Sequence, residues 1–522
     1  MSESRCSSDP KNSITTGMKR SVVYKILGIM IVLFWLLVVA ELVKRTNLNR
    51  GSVDLTSIDE GMPLEDISEQ WMEILVRGRK VGYTVTRVER TEGGFDVEED
   101  IFLAVNLMGS AREIFSKTRA QLDERFLLNS FDFSLSSGLF EFKITGQMKG
   151  NNLSLSMGEK GKEKTQSIRL PSRPMISAGM AQFFKSCTLK IGDSLTFPIF
   201  DPITMTTNPS TVKVAAREVI KLDGKSYEAY RLEMDLLGRP LVFWLDEEGV
   251  SLKEEGFMGF TLVRSTPAKA KLGLDRSGGI DFCELSAIKV AEKLEDPRRL
   301  SYLKVRLNKV PCSLPIDGSR QSLSGRILAV QKERPPFKAS YAIPYRGRDG
   351  ELLYYLRPEM LIQSEERQII SLAKQVVDDT ADPFTAATLI LGWVFESLEK
   401  TPVASVPDAR EILKHRKGDC NEHATMLTAL LRAAGIPART VVGLIYKDGR
   451  FYYHAWNEAY INRWVSMDAT LQQMPVDATH IKLLDGGIDK QVQILGMIGN
   501  FELTILDYRR SDLRTSPRFI GG

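Results

Sequence analysis

The chain has 522 residues, 43% apolar and 26% charged, with 70 Lys and Arg against 66 Asp and Glu, a net of +4. This is globular composition, neither disordered nor collagen-like, and its length suggests about two to four domains. So small a surplus does not imply nucleic-acid binding, and none is expected; five Cys are too few for a disulfide scaffold.

The surplus sits at one end. Residues 1–50 hold eight basic groups (Arg5, Lys11, Lys19, Arg20, Lys25, Lys44, Arg45 and Arg50) against Glu3, Asp9 and Glu41, and the rest of the chain carries 62 basic and 63 acidic groups. Ile26 to Ala40 is unbroken apolar sequence. With its flanks it is long enough for one helix across a hydrocarbon core of about 30 Å. Lys25 near one end can snorkel to the headgroups. The expectation is a cytoplasmic tail at 1–20, a transmembrane helix at 21–43 and an extracytoplasmic main body, periplasmic in a Gram-negative cell. Positive charge on both flanks favours that orientation only by a small margin. A signal peptide cleaved after Val38-Val39-Ala40 is the alternative; the long polar leader favours an uncleaved anchor.

Residues 60–275 read as an antiparallel β-rich domain. Trp71–Val76, Val81–Val88, Phe140–Gln147, Leu153–Met157, Tyr227–Met234 and Leu241–Asp246 are rich in β-branched and aromatic residues, and Glu92-Gly93-Gly94 and Asp223-Gly224 mark turns. Ala178–Ser186 reads as an inserted helix. The pattern resembles the large single-sheet antiparallel modules of cell-envelope proteins, and it holds no catalytic constellation. Residues 276–350 read as a second β-rich region or linker, broken at Pro335-Pro336. Two of Cys187, Cys283 and Cys312 can pair, or all can be buried thiols. Cys6 precedes the span.

Beyond Leu361 the period becomes helical. Ser364 can cap a helix running to about Asp379. Asp382-Pro383 starts another, with Leu389, Ile390, Trp393, Val394 and Leu398 on one face. A third follows Lys417-Gly418-Asp419-Cys420-Asn421-Glu422-His423, with Met426, Leu427, Leu430, Leu431 and Ala434 as its apolar stripe and Gly435-Ile436-Pro437 as its stop. Asp419 and Glu422 are spaced as a capping box, which puts Cys420 in the first turn, where free amides and the helix dipole favour a thiolate. Phe451–Ile461 reads as a strand, Asn462-Arg463 as a turn and Trp464–Thr470 as the returning strand. A helix-start Cys420, a strand His454 and an acid Asp468 have the logic of nucleophilic acyl transfer: base for the thiol, then orienting carboxylate. A strict two-residue turn would set Asp468 opposite Asn457 and away from the His454 face. The triad therefore requires a bulge or a turn of another length.

The runs GDCNEHATMLTALLRAAGIPAR and YYHAWNEAYINRWVSMDAT resemble the transglutaminase-like superfamily over residues 361–485. The resemblance implies an α+β, papain-like domain with catalytic Cys420, His454 and Asp468. It further implies an enzyme: a cysteine protease, amidase or acyltransferase. The tail LQQMPVDATHIKLLDGG, with Gln472, Asp477 and His480, resembles bacterial envelope-associated members. Residues 486–522 form a C-terminal extension.

Other residues have simpler readings. Trp456 and Glu458 share the His454 face and are candidates to line the cleft; Asn421 or the Cys420 amide can bind an oxyanion. Cys420 and His423 make only a lone metal-type pair, Glu422 serves the cap, and His415 and His480 read as surface or packing residues. No calcium-loop signature appears, and no cofactor or metal is expected. The expected substrate is a protein or peptide of the cell envelope, cut through a cysteinyl thioester. A non-catalytic envelope binding or assembly protein, using the β-rich region and a peptide-binding Cys domain, is the rival reading. A lipid- or glycan-carrying β region is a third.

Overall fold

The computed structural model of the protein describes residues 67–158, 163–235, 240–276, 279–310, 314–334, 337–498 and 501–511. The tail and anchor expected at 1–43, Cys6 and Cys312 lie outside these. Among the described residues no helix is long and apolar enough to cross a membrane.

The β-rich region is one fifteen-stranded sheet. Its first eight strands, Ile67–Val76 to Lys164–Arg169, are neighbours in sequence order. The first strand then pairs with the last, Phe260–Ser265, and the order returns through the remaining strands to Met175–Ile176. Alternation fixes the faces: in Phe140–Lys149 the side chains of Phe140, Phe142 and Ile144 are buried and their neighbours exposed. The sheet curls on itself, since Phe131 and Phe200, from strands far apart in its order, have ring centroids 5.3 Å apart. The inserted helix, Met180–Lys185, fills the inside, with Phe183 against Phe126 at 6.1 Å and Phe197 at 5.5 Å.

Residues 288–331 and the C-terminal extension build together. Leu300–Asn308 lies between Ile327–Gln331 and Glu502–Arg510 in a four-stranded sheet whose far edge is Gln321–Ser324. Their alternate side chains, including Leu303, Val305, Leu328, Val330 and Leu503, enter one core with the C-terminal domain.

That domain has four helices of note: α1 (Arg367–Val377), α2 (Pro383–Ser397), α3 (Ala409–His415) and α4 (Cys420–Ala433). Asp382 caps α2 by accepting from the Thr385 amide at 2.8 Å, with Pro383 at the first helical position. The strands are β1 (Ala438–Lys447), β2 (Arg450–Tyr460), β3 (Trp464–Met467) and β4 (Ile481–Asp485). β2 and β4 flank β1, and β3 pairs with one end of β2. Helix α4 is the hub. Met426, Leu427, Leu430 and Leu431 are fully buried against α1, α2 and β2, each stabilising by roughly 1.5–3 kcal/mol.

The hairpin resolves the register question. Tyr460 pairs with Trp464, Glu458 with Ser466 and Asn457 with Met467. The turn therefore has three residues, Ile461-Asn462-Arg463, with Asn462 in the left-handed region at φ 60°. The extra residue carries Asp468 opposite Trp456, onto the His454 face.

Candidate active site

The nucleophile position is built by a cap. Asp419 accepts from the Asn421 amide at 3.0 Å, and Glu422 accepts from the Asp419 amide at 2.9 Å, completing the capping box. Gly418 permits it: a Cβ there would lie 2.3 Å from Glu422 Cβ. Ser405 buttresses the cap by donating to Glu422 Oε1 at 2.6 Å. Cys420 opens α4, partly buried, and its sulfur receives the backbone amide of Ala455, the residue after His454.

The electrostatics run against a resting thiolate. Burial, then the charge of Asp419, hold the Cys420 thiol well above its ordinary value, and the Ala455 amide offsets only part of this. Burial, then Asp419, likewise push the Glu422 carboxyl well up. The helix-start position thus supplies geometry and not a preformed thiolate.

The candidate base is His454, the residue before the Ala455 whose amide meets Cys420. His454 on β2 is 7% exposed, and its Nε2 lies 2.7 Å from Asp468 Oδ2. This engages Nε2–H and leaves Nδ1 as the basic nitrogen. Asp468 is buried and saturated: Oδ1 accepts from the amides of Thr470 at 2.7 Å and Leu471 at 3.1 Å, and Oδ2 also meets His480 Nε2 at 3.2 Å. Burial alone would raise its carboxyl, but the charge and hydrogen bond of His454, with those of His480, hold it well below the usual carboxylate range.

The remaining candidates have defined places. Asn421 Oδ1 accepts from the Tyr453 hydroxyl at 2.9 Å, and its backbone amide serves the cap. The Cys420 amide, first in the helix and without an intrahelical acceptor, is the better oxyanion donor. Trp456 is 1% exposed and does not line an open cleft. It stacks along His454 at 6.2 Å, meets His480 edge-on at 5.3 Å and packs with Val441 and Val476. Glu458 is likewise enclosed, 2% exposed, paired with Arg439 at 2.7 Å and Lys482 at 2.8 Å. Its role is to neutralise two cations between β1, β2 and β4. His423 is buried, with Nδ1 on the Asp419 carbonyl at 2.7 Å. His415 stands apart, 5.5 Å from the ring of Phe140.

Two features escaped the sequence reading. His480 is not at the surface; it is fully buried against Trp456 and, beyond packing, meets Asp468. The signal for it was a repeat: Asp468-Ala469-Thr470 and Asp477-Ala478-Thr479. In both, the Asp Oδ1 accepts the amide of the Thr two residues on, at 2.7 and 2.8 Å. Tyr453 packs beside Cys420, and burial first, then the thiol, raise its hydroxyl well above the ordinary range. Of the two alternatives for Cys187 and Cys283, the free-thiol one holds: neither is paired, and each is pushed up to about 11 chiefly by burial.

One atom each from His454, Asp468 and His480 lies within 4.8 Å of the others, spacing that a metal ion can use. An ion seated there would have to displace the protons that join both rings to Asp468.

A model of the transglutaminase-like superfamily matches residues 370–469, which contain Cys420, His454 and Asp468. No curated protein matches the chain. Among solved structures, a candidate cysteine protease from Cytophaga hutchinsonii is similar at 19% identity over 42% of this chain and 89% of its own, with a TM-score of 0.27. A β-barrel-like protein of a domain of unknown function from Brucella abortus is similar at 14% identity over 38% and 94%, TM-score 0.29. A candidate protease from Parabacteroides distasonis is similar at 11% over 65% and 68%, TM-score 0.19. The chain carries a domain of the transglutaminase-like superfamily at residues 370–469.

Proposed function

We propose that the protein is a membrane-anchored, extracytoplasmic thiol enzyme that cleaves amide or peptide bonds of a cell-envelope protein or peptide through a cysteinyl thioester. The observation that carries the chemistry is the 2.7 Å contact of His454 Nε2 with a buried, saturated Asp468, next to the Ala455 amide that meets Cys420. The apolar run Ile26–Ala40 and its basic flanks support the anchor.

His454 Nδ1 takes the thiol proton as the sulfur attacks the carbonyl carbon, and the Cys420 amide holds the oxyanion. The imidazolium, steadied by Asp468, returns that proton to the leaving amine as the C–N bond breaks and the thioester remains. Water, deprotonated by the same imidazole, then releases the acid and restores the thiol. An amine in its place gives transfer. Bulk water outcompetes an amine unless the cleft excludes it, so hydrolysis is the favoured outcome.

The test is acid-quenched trapping of the protein with cell-envelope extract, read as a mass adduct on the Cys420 peptide. The expected adduct is labile to hydroxylamine, and both it and turnover vanish in Cys420→Ala. Turnover unchanged in that variant defeats the proposal. The raised thiol favours the rival reading of a peptide-binding protein without catalysis, and an unreactive Cys420 in the native chain would select it.

A further inference from the structure

A second histidine stands behind the acid. Each ring nitrogen of His480 meets a carboxylate: Nε2 lies 3.2 Å from Asp468 Oδ2, and Nδ1 lies 3.3 Å from Asp477 Oδ1. A neutral imidazole has one N–H and can donate to only one of them; the other contact would set a lone pair against an anion. Either His480 is an imidazolium or one carboxyl carries a proton. Both carboxyls have reason to stay ionised. Asp468 already accepts from His454 and from two backbone amides. Asp477 accepts from Thr479 N at 2.8 Å, Thr479 Oγ1 at 2.6 Å and Gln473 Nε2 at 3.0 Å. Oxygens that receive so many donors resist protonation. The other charges around the cluster are cationic or already paired. Arg320 donates to the Asp477 carbonyl at 2.6 Å and lies 3.6 Å from Glu333, and Lys332 is close enough for Asp477 to act on it. Burial lowers the affinity of His480 for its proton, and the two carboxylates raise it by more.

Building on the thiol-enzyme reading above, we propose that His480 is a protonated positioning residue. Clamped by Asp477, it divides the charge of Asp468 and so sets the pH at which Cys420 becomes nucleophilic. The His454 and His480 rings are 5.8 Å apart, with Trp456 walling both. When His454 accepts the thiol proton, one carboxylate faces two cations. A charged His480 therefore disfavours the Cys420 thiolate–imidazolium pair and keeps the resting site neutral. The proton then moves as the sulfur bonds to its electrophile.

Iodoacetamide alkylation of the full chain reads this directly, followed from pH 4.5 to 9 on the tryptic peptide Gly418–Arg432. Removing the charge with His480→Gln should let the site hold its proton more tightly, moving the acid-side inflection toward alkali by ~1 pH unit, and should raise the near-neutral plateau of alkylation ~10-fold as the ion pair is no longer disfavoured, given two charges near 6 Å in a screened interior. Asp477→Asn removes the anion that makes the second N–H necessary while keeping an acceptor for Thr479. It should move the inflection the same way, so the test survives if His480→Gln does not fold. The double variant should go no further than His480→Gln. A reactive Cys420 whose inflection stays put in Asp477→Asn and His480→Gln, with only a uniform loss of rate, overturns this proposal alone. A native Cys420 that does not react at any pH overturns both it and the thiol-enzyme reading.

Discussion

Asp468 shows most plainly what a single residue contributes. Its two oxygens take two imidazoles and two backbone amides. Asp468→Asn keeps the size but presents an amide that cannot accept on both sides or balance an imidazolium. The expected result is a fall in kcat/KM of ~10²–10⁴, carried mostly by kcat, with the circular dichroism of the native fold. Steady-state kinetics checks it, and a loss confined to KM would contradict the role. The placement of Cys420 and His454 was legible because their signals are local: a capping box around Cys420, and a strand alternation that puts His454, Trp456 and Glu458 on one face. Depth was not legible. Trp456 and Glu458 are enclosed by Gly443, Arg439 and Lys482 from neighbouring strands, and only pairing across the sheet brings those residues near. A Cβ on Gly443 would sit 2.8 Å from the Trp456 ring and 2.0 Å from the Ile481 carbonyl, so glycine there is what allows the tryptophan to lie flat beneath the site.

At the scale of elements, a single extra turn residue decides whether the acid faces the base. Its necessity followed from period-two geometry, but its form, a left-handed Asn462, depended on contacts from far away. Asn462 Oδ1 accepts from the Ser340 amide at 2.8 Å, and its Nδ2 donates to the Lys338 carbonyl at 2.7 Å. The large sheet holds a different kind of information. Glu99 lies between Thr86 and Thr118 of adjacent strands. Burial, then Glu254 and Asp100, push its carboxyl from 4.5 up to about 7. A carboxyl raised on folding favours the protonated native state. Its stabilising contribution is complete below the unfolded value near 4.5 and is lost as pH rises through 7, a total on the order of 3 kcal/mol. Urea unfolding should therefore show a lower midpoint at pH 8.5 than at pH 5.5, and Glu99→Gln should flatten the difference. Parallel pH profiles for the two proteins would show that Glu99 is not the group that titrates.

Over the whole molecule, the charge asymmetry and the order of an apolar run, β-rich sequence and a cysteine domain could be read directly. The way the parts close on one another could not. Glu502–Arg510 returns to pair with Leu300–Asn308 across nearly two hundred residues, and no local pattern announces such a partner. The large sheet also reaches the C-terminal domain, as Arg112 donates to the Pro402 carbonyl at 2.9 Å in the segment leading to Ser405 and the cap. The central claim for the chain is that one of its five cysteines is a nucleophile and that His454 makes it so. The most direct measurement compares iodoacetamide alkylation of Cys420 in the native chain and in His454→Gln at pH 7.5, with the buried thiol of Cys283 as the internal reference. Cys420 is expected to react at least ~10-fold faster than Cys283 in the native chain, and to lose that lead in the variant, because a thiol raised by burial depends on the base to release its proton. Equal rates for Cys420 with and without the His454 imidazole would contradict the account.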